Sequence, residues 1–292
     1  MSAAAKDFLD RHQLPATYLE SAQRWFEPLI QQFCDQYQPD TAPQILGING
    51  CQGSGKSTLA DYLCTMIAER QGIQTVSLSM DDFYLTLAER RALAKTVHPL
   101  LSTRGVPGTH DVALAITTIE QLRSGNNSPI PRFDKSIDDR VTGPQIKSVS
   151  GPVGLIILEG WCLGAIPEPD FKLAEPINCL ERLEDQQGIW RQYINQALSQ
   201  DYQQLFAMVD QLIMLQAPSF DTVFDWRLEQ EAKMRNHLKA ADSSGVMDEQ
   251  QLGRFIQHFQ RITEHSLREM PQRAQHLFKL GSDRQISQYQ QR

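Results

Sequence analysis

A glycine-rich segment after a short apolar run carries the clearest chemical signal in this sequence. Residues 50–57, GCQGSGKS, match the spacing G-x-x-x-x-G-K-[ST] between a predicted strand and a predicted helix. Glycines let the backbone approach a phosphate closely, and successive N–H groups at a helix N-terminus attract its charge. Lys56 is expected to reach the β- and γ-phosphates, and Ser57 to ligate Mg²⁺. The alternative is a glycine turn that arose by chance before a helix. We predict a nucleoside triphosphate site, with ATP as its ligand, formed by Gly50, Cys51, Gln52, Gly53, Ser54, Gly55, Lys56, Ser57 and Thr58.

A glutamate stands at the end of a second apolar run. Glu159 ends the strand-like segment LIILE, and open α/β sheets bind their ligands beyond the carboxyl ends of the strands. A carboxylate at this place can bind Mg²⁺ directly or through water, so we pair Glu159 with Ser57 in a predicted magnesium site. The alternative is a glutamate at a strand end that faces solvent.

Two adjacent aspartates supply the candidate base. Asp81 and Asp82 follow the second predicted strand in the segment SMDDFY. A kinase needs a substrate hydroxyl, and a carboxylate near the γ-phosphate can accept the proton of that hydroxyl. Neighbouring side chains point in different directions, so only one of the pair is expected to face the γ-phosphate. The alternative is that both aspartates cap the following helix.

The spacing of apolar residues predicts the elements that must position these groups. Strands alternate with helices, which favours a mainly parallel sheet covered by helices on both faces. The apolar residues of 141–154 follow neither the helical nor the strand repeat, so a hairpin and an extended edge strand both remain open there. The predicted strands are 45–48, 73–78, 154–161, 211–215 and 276–280. The predicted helices are 14–37, 57–70, 85–95, 111–123, 183–210, 220–240 and 248–270, with Asp111 and Asp248 as caps.

The composition narrows the class of protein. The chain has 292 residues, of which 41% are apolar and 22% charged, and a net charge of −7. That charge argues against a nucleic-acid partner, and no apolar run reaches the roughly 20 residues that span a membrane. Five cysteines without a CxxC pair, and no apolar run at the N-terminus, are typical of a reducing cytoplasm. We expect one domain over 1–292, with a helical extension over about 1–40 and a helical lid over about 180–270, as a monomer or homodimer.

Six segments in this order resemble the glycerate kinase branch of small-molecule P-loop kinases. They are GINGCQGSGKST, SMDDFY, RGVPGTHD, PRFDKSIDDR, LIILEGW and FDWRLEQEAKMR. The likeness covers about residues 40–280, and the branch is related to pantothenate kinases, uridine kinases and phosphoribulokinases. It implies an α/β, three-layer P-loop NTPase fold. It also implies phosphorylation of a small hydroxylated metabolite with ATP and Mg²⁺.

The resemblance also implies roles for single residues. Asp81 matches the base at the end of the second strand, and Asp82 would hold the substrate or the metal. An anionic acceptor such as D-glycerate would need charge-assisted hydrogen bonds, which arginine can donate in pairs to a carboxylate. The alternative is that the cations of these loops are solvated surface charges. The implied substrate-binding residues are Asp82, Tyr84, Arg104, Arg132 and Lys135.

An arginine near the start of a late helix is the third candidate for catalysis, after Lys56 and Asp81. In similar kinases an arginine on a lid helix stabilises the transferring phosphoryl group, and Arg227 in FDWRLEQEAKMR matches that arginine. Arg235, two turns later, should lie on the same face. The alternative places Trp226 in the core and Arg227 in an ion pair.

These observations predict transfer of the γ-phosphoryl group of ATP to a hydroxyl of a small metabolite, with D-glycerate as the leading acceptor. The same chemistry on pantothenate, a nucleoside or a sugar phosphate is the nearest alternative. A nucleotide-dependent switch or binding protein without an acceptor is the alternative from a different class.

Overall fold

A computed structural model of the chain describes residues 1–39, 41–237 and 247–292. A six-stranded sheet forms its centre, and two pairs of two-residue strands lie outside that sheet. The strands are β1 (Gln44–Gly50), β2 (Thr75–Ser79), β3 (Ser128–Pro129), β4 (Phe133–Asp134), β5 (Asp139–Arg140), β6 (Ser148–Val149), β7 (Leu155–Gly160), β8 (Gln211–Gln216), β9 (His276–Leu280) and β10 (Ile286–Gln291).

The central sheet is parallel except at one edge. Its order is β10-β9-β8-β1-β7-β2, and only β10 runs antiparallel to its neighbour. The predicted mainly parallel α/β sheet is therefore confirmed, whereas β10 was not predicted. The unassigned segment 141–154 contains a 3₁₀ turn and β6, which pairs antiparallel with β3 and not with the central sheet.

Most helices lie within three residues of the predicted bounds. Asp111 and Asp248 accept hydrogen bonds from the first turns of the helices that begin at Val112 and Glu249, as expected of N-caps. The last three residues of the predicted helix 220–240 lie outside the described residues. The helices are α1 (Ala3–His12), α2 (Thr17–Gln36), α3 (Lys56–Gln71), α4 (Leu87–Thr96), α5 (Val112–Arg123), α6 (Cys179–Glu184), α7 (Ile189–Ser199), α8 (Asp201–Phe206), α9 (Phe220–His237) and α10 (Glu249–Glu269).

One helix was not predicted, and one predicted helix is divided. The helix α1 has no counterpart among the predicted helices, although Ser2 caps it through the N–H of Ala5. The pattern over 183–210 predicts one helix, but α6 ends at Glu184 and α7 and α8 follow as separate helices. Gly188 has a φ of +74°, which ends the preceding turn, and Asp185 accepts hydrogen bonds from the N–H groups of Trp190 and Arg191.

Buried apolar side chains lie on both faces of the sheet, which gives the three layers expected of this fold. Successive residues of a strand point to opposite faces. Leu46 and Ile48 of β1 pack in a cluster with side chains of α1, α2 and α3, whereas Ile45 packs with those of α5, α7 and α8. In the part of the chain that the structure describes, no helix is both long and apolar enough for a membrane span. The division into extension, kinase domain and lid stays a prediction.

The topology brings three strand ends to one edge of the sheet. The strand β7 pairs with β1 on one side and with β2 on the other, so that Glu159 lies opposite both Ile48 and Ser79. The segments that follow these parallel strands therefore open at the same edge, where ligands of open α/β sheets bind.

Candidate active site

The glycine-rich loop after β1 adopts the backbone that the motif requires. Gly53 and Gly55 have φ values of +80° and +88°, which disfavour any other residue. A Cβ atom on Gly50 would lie 2.4 Å from the Ser54 hydroxyl, so this position also needs glycine. The helix α3 begins at Lys56, directly after the loop. The N-terminus of a helix therefore faces the loop, as in sites that bind phosphate groups.

Lys56, Ser57 and Glu159 meet beneath this loop. The Ser57 hydroxyl donates a 2.7 Å hydrogen bond to Glu159 Oε1, and Lys56 Nζ lies 3.9 Å from Glu159 Oε2. Burial by itself lowers the pKa of Lys56, but the negative charges of Glu159 and Asp81 outweigh it, so the net shift is upward. Lys56 is therefore a cation at neutral pH.

Glu159 is buried, contrary to the alternative of a solvent-facing strand end. Its side chain is 5% exposed, and Oε2 makes no hydrogen bond within the described part of the chain. A buried carboxylate oxygen beside a serine hydroxyl belongs to the oxygen ligands that Mg²⁺ prefers. The residues present therefore fit a magnesium site. Cys51, in the same loop, is not a reactive thiolate, because burial raises the pKa of its thiol to about 12.

The two aspartates after β2 bind different cations. Asp81 accepts 2.6 Å hydrogen bonds from the Tyr84 hydroxyl and from Lys135 Nζ. Asp82 accepts a 2.9 Å hydrogen bond from Arg132 and a 3.1 Å bond from the N–H of Phe133. Neither carboxylate caps the following helix, because Thr86 and Glu89 form a capping box at the start of α4. The alternative role as helix caps is therefore wrong.

The electrostatic setting of Asp81 favours its ionised form. Burial alone would raise the pKa of this carboxyl, but the charges of Lys135 and Lys56, with the hydrogen bonds from Lys135 and Tyr84, lower it to about 2. Asp81 is therefore a carboxylate that can accept a hydrogen bond from a substrate hydroxyl at neutral pH.

The short hairpin of β4 and β5 carries Lys135 and is held in place by two arginines, of which Arg90 is buried and Arg140 half-buried. Arg90 is 1% exposed and donates hydrogen bonds to the carbonyl oxygens of Ser102 and Asp138. Arg140 contacts the Tyr84 carbonyl at 2.7 Å and Asp111 at 3.0 Å. These contacts fix the hairpin beside the aspartate pair.

Arg104 takes part in the same support and does not line the cavity. It donates to Asp138 and lies over the ring of Phe133, 5.7 Å from its centroid. Tyr84 is likewise absent from the lining of the cavity, and its hydroxyl donates a hydrogen bond to Asp81. Substrate contact by Arg104 and Tyr84 stays a prediction, and the geometry gives both residues a positioning role instead.

A cavity of about 820 Å³ is lined on one side by the glycine-rich loop, the nucleotide half, and on the other by the aspartate pair and its cations, the acceptor half. Arg227 reaches it from α9 and donates a 3.1 Å hydrogen bond to Gln230, whereas Trp226 is buried at 2% exposure. The side chain of Arg235 is outside the described part of α9. Of the residues named from the sequence, the cavity is lined by Gln52, Gly53, Lys56, Ser57, Asp81, Asp82, Arg132, Lys135, Glu159 and Arg227.

Three residues that line the cavity were not found from the sequence. Arg11 and His12 of α1 both bind Asp61 Oδ2 at 2.8 Å, and no local sequence signal marks any of the three. His110, from the RGVPGTHD segment, is buried; its ring centroid lies 4.7 Å from that of Tyr84, and its Nδ1 lies 2.6 Å from the Tyr202 hydroxyl. The segment pointed to this region but not to those contacts.

The sheet order, the glycine-rich loop and the acidic strand ends define a P-loop kinase. Comparison with known proteins agrees, although no protein-family model matches the chain. The kinase mug58 of Schizosaccharomyces pombe is 37% identical over 235 residues, which are 77% of this chain and 81% of the relative.

Two further relatives carry a more specific name. The chloroplastic D-glycerate 3-kinase of Arabidopsis thaliana is 32% identical over 240 residues, which are 75% of this chain and 47% of the plant protein. A solved structure of D-glycerate 3-kinase from Cryptococcus neoformans has a TM-score of 0.75 at 25% identity, over 95% of this chain and 100% of that one. The chain belongs to the glycerate kinase-like P-loop kinases. It is therefore a phosphotransferase, and its kinase relatives support ATP as the donor.

Proposed function

We propose that this protein transfers the γ-phosphoryl group of ATP to a hydroxyl of a small anionic hydroxy acid, with D-glycerate as the first candidate. The observation that carries the proposal is the placement of Arg132 and Lys135 beside the aspartate pair, in the same cavity as Lys56. A carboxylate on the acceptor is the natural ligand of two such cations. The names of the plant and fungal relatives support the same acceptor.

In this proposal each half of the cavity binds one substrate. The loop of residues 50–57 and the Lys56 ammonium bind the triphosphate, and the Arg227 guanidinium stabilises charge on the transferring group. Ser57 and Glu159 would hold Mg²⁺, which would supply further positive charge to offset the negative charge of the triphosphate. The protein holds donor and acceptor in line, which is where most of the catalysis of phosphoryl transfer arises.

Asp81 takes the proton of the attacking hydroxyl in this scheme. Its carboxylate is held by Lys135 and Tyr84, so a free acceptor must compete for Lys135. If the carboxylate of the acceptor binds Lys135 and Arg132, the cations leave Asp81 and Asp82 and the basicity of Asp81 rises. An anionic acceptor would thus both occupy the pocket and free the base.

The experiment that tests the proposal is an ATP-consumption assay with a panel of acceptors. D-glycerate, L-glycerate, pantothenate, uridine and a sugar phosphate are compared with no acceptor, and the product is identified by mass spectrometry. We expect D-glycerate to give the highest kcat/KM and the Lys56→Ala variant to give none. Turnover with pantothenate, uridine or the sugar phosphate alone would support phosphoryl transfer from ATP but contradict D-glycerate as the acceptor. Slow hydrolysis that no acceptor stimulates would instead favour the nucleotide-dependent switch.

A further inference from the structure

The turn between β9 and β10 contacts the glycine-rich loop, although the two segments lie far apart in the sequence. Arg284 in this turn donates a 3.1 Å hydrogen bond from Nε to the carbonyl oxygen of Gly53. The turn itself is well defined, because Gly281 and Gln285 are joined by a 2.8 Å backbone hydrogen bond, and Asp283 accepts from the N–H of Gln285.

The same arginine also contacts the middle of α9. Its Nη1 lies 2.6 Å from Glu229 Oε2, and its Nη2 lies 3.4 Å from the carbonyl oxygen of Trp226. Its guanidinium carbon lies 5.4 Å from the centroid of the Trp226 ring, and the indole N–H donates a 2.6 Å hydrogen bond to the Ser282 carbonyl. One side chain therefore links the turn, the glycine-rich loop and α9.

Two features indicate that the backbone positions at this junction are tightly constrained. Arg284 has a φ of +65°, a left-handed conformation that a residue other than glycine adopts only when its surroundings enforce it. A Cβ atom on Gly53 would lie 3.0 Å from the Cβ of Trp226, so the loop and α9 are in direct contact. Arg227, the next residue of α9, then reaches the cavity beside Gly53.

We propose that Arg284 is a positioning residue that sets the glycine-rich loop against α9 and so determines the affinity for ATP and the place of Arg227. This inference rests on the proposed function, since it assumes that the loop binds ATP. It assigns to the C-terminal hairpin a role in the nucleotide half of the cavity and none in the acceptor half.

The test compares Arg284→Ala with the matched control Arg292→Ala. Arg292 follows β10 and donates to the Gln272 carbonyl, away from the cavity. For each full-length variant, the dissociation constant of ATP is measured by calorimetry, and kcat and both KM values by turnover. We expect Arg284→Ala to weaken ATP binding and raise KM for ATP by about tenfold, because the charge-assisted contact that holds the loop in its binding conformation is lost, with the acceptor KM unchanged. The control should change neither.

Other outcomes separate this inference from the proposed function. A lower melting temperature with unchanged ATP affinity would make Arg284 merely structural and overturn the inference. If Arg284→Ala does not fold, Arg284→Lys decides, because lysine keeps the charge but cannot donate to Gly53, Trp226 and Glu229 together. A several-fold loss of ATP affinity in that variant supports the inference, and an unchanged affinity overturns it. Failure of the unmodified chain to bind ATP would instead overturn the proposed function, and the inference with it.

Discussion

The nucleotide half of the cavity and the acceptor half are built in different ways. The nucleotide half consists of β1, the glycine-rich loop and α3, and its geometry follows from backbone conformation, from the hydrogen bond between Ser57 and Glu159 and from the contact of Arg284 with the Gly53 carbonyl. The acceptor half consists of a 3₁₀ turn and two-residue strands, and side-chain ion pairs of 2.6 and 2.9 Å hold it together. Under the proposed function, the first half is prepared for its ligand, whereas the second exchanges its own ion pairs for contacts with a ligand.

Removal of the Lys56 ammonium should give the largest effect of any single change, because it acts in the prepared half. We expect Lys56→Ala to abolish detectable transfer, since a cation is lost where negative charge develops. Turnover with the acceptor and ATP measures this. Lys95→Ala, an exposed lysine of α4, is the matched control and should keep the activity. Near-normal turnover of the Lys56 variant would contradict the assignment of the phosphate site.

The comparison between the aspartates tests which of them acts as the base. Asp81→Asn should lose about 10²–10⁴-fold in kcat while ATP binding persists, as for the loss of a general base. Asp82→Asn should lose less, because Asp82 holds Arg132 and the N–H of Phe133 and so supports the hairpin. Single-turnover rates of the two variants decide this. A larger loss in the Asp82 variant would reverse the assignment.

The same difference explains what could be predicted from the sequence. Lys56, Ser57 and the loop glycines lie within one motif, and Glu159 ends an apolar strand, so local spacing was sufficient to find them. Asp81 and Lys135 are 54 residues apart, and no local pattern announces their ion pair. The resemblance to a family named these residues, but it did not predict that they bind each other.

The parts that sequence reasoning missed share a physical cause. Arg284 and Gly53 are separated by 231 residues, and their contact exists only because β9 lies two strands away from β1 in the sheet. The helix α1 has only two large apolar side chains in its ten residues, Phe8 and Leu9, yet Phe8 is fully buried against other elements. Tertiary packing decides such features, and a single sequence does not report it.

Removal of the Lys135 ammonium should have a smaller effect, and this effect should be on the KM for the acceptor. Lys135→Met should raise the KM for the anionic acceptor by about tenfold, the value of one charge-assisted hydrogen bond, with the KM for ATP unchanged. Lys147→Met, an exposed lysine outside the lining of the cavity, is the matched control. Steady-state kinetics with both substrates varied measure the two constants. An increase in the KM for ATP alone would place Lys135 in the nucleotide half.

Removal of the Tyr84 hydroxyl should affect the rate less. In Tyr84→Phe the carboxylate of Asp81 loses one of its two side-chain hydrogen bonds but keeps Lys135. A hydrogen bond to a charged group is worth about 1.5 kcal/mol or more, so kcat should fall by about tenfold, less than for Asp81→Asn. The acceptor KM should stay close to that of the unmodified protein, because the hydroxyl holds the base and not the ligand. A rise in this KM without a change in kcat would support direct substrate contact by Tyr84.

The last prediction concerns the pH dependence of folding stability that the Asp81 carboxylate causes. The pKa of Asp81 falls from an ordinary 3.8 to about 2 in the folded state, so the contacts that favour its carboxylate stabilise the fold above about pH 4. As the pH falls from about 4 to 2, this stabilisation is lost, because the unfolded chain takes up the proton first. Urea unfolding between pH 2 and 6 should show this slope in the unmodified protein and a shallower one in Asp81→Asn. Equal slopes would mean that Lys135 does not hold Asp81 in the free protein, and the acceptor half would then need no exchange of ion pairs.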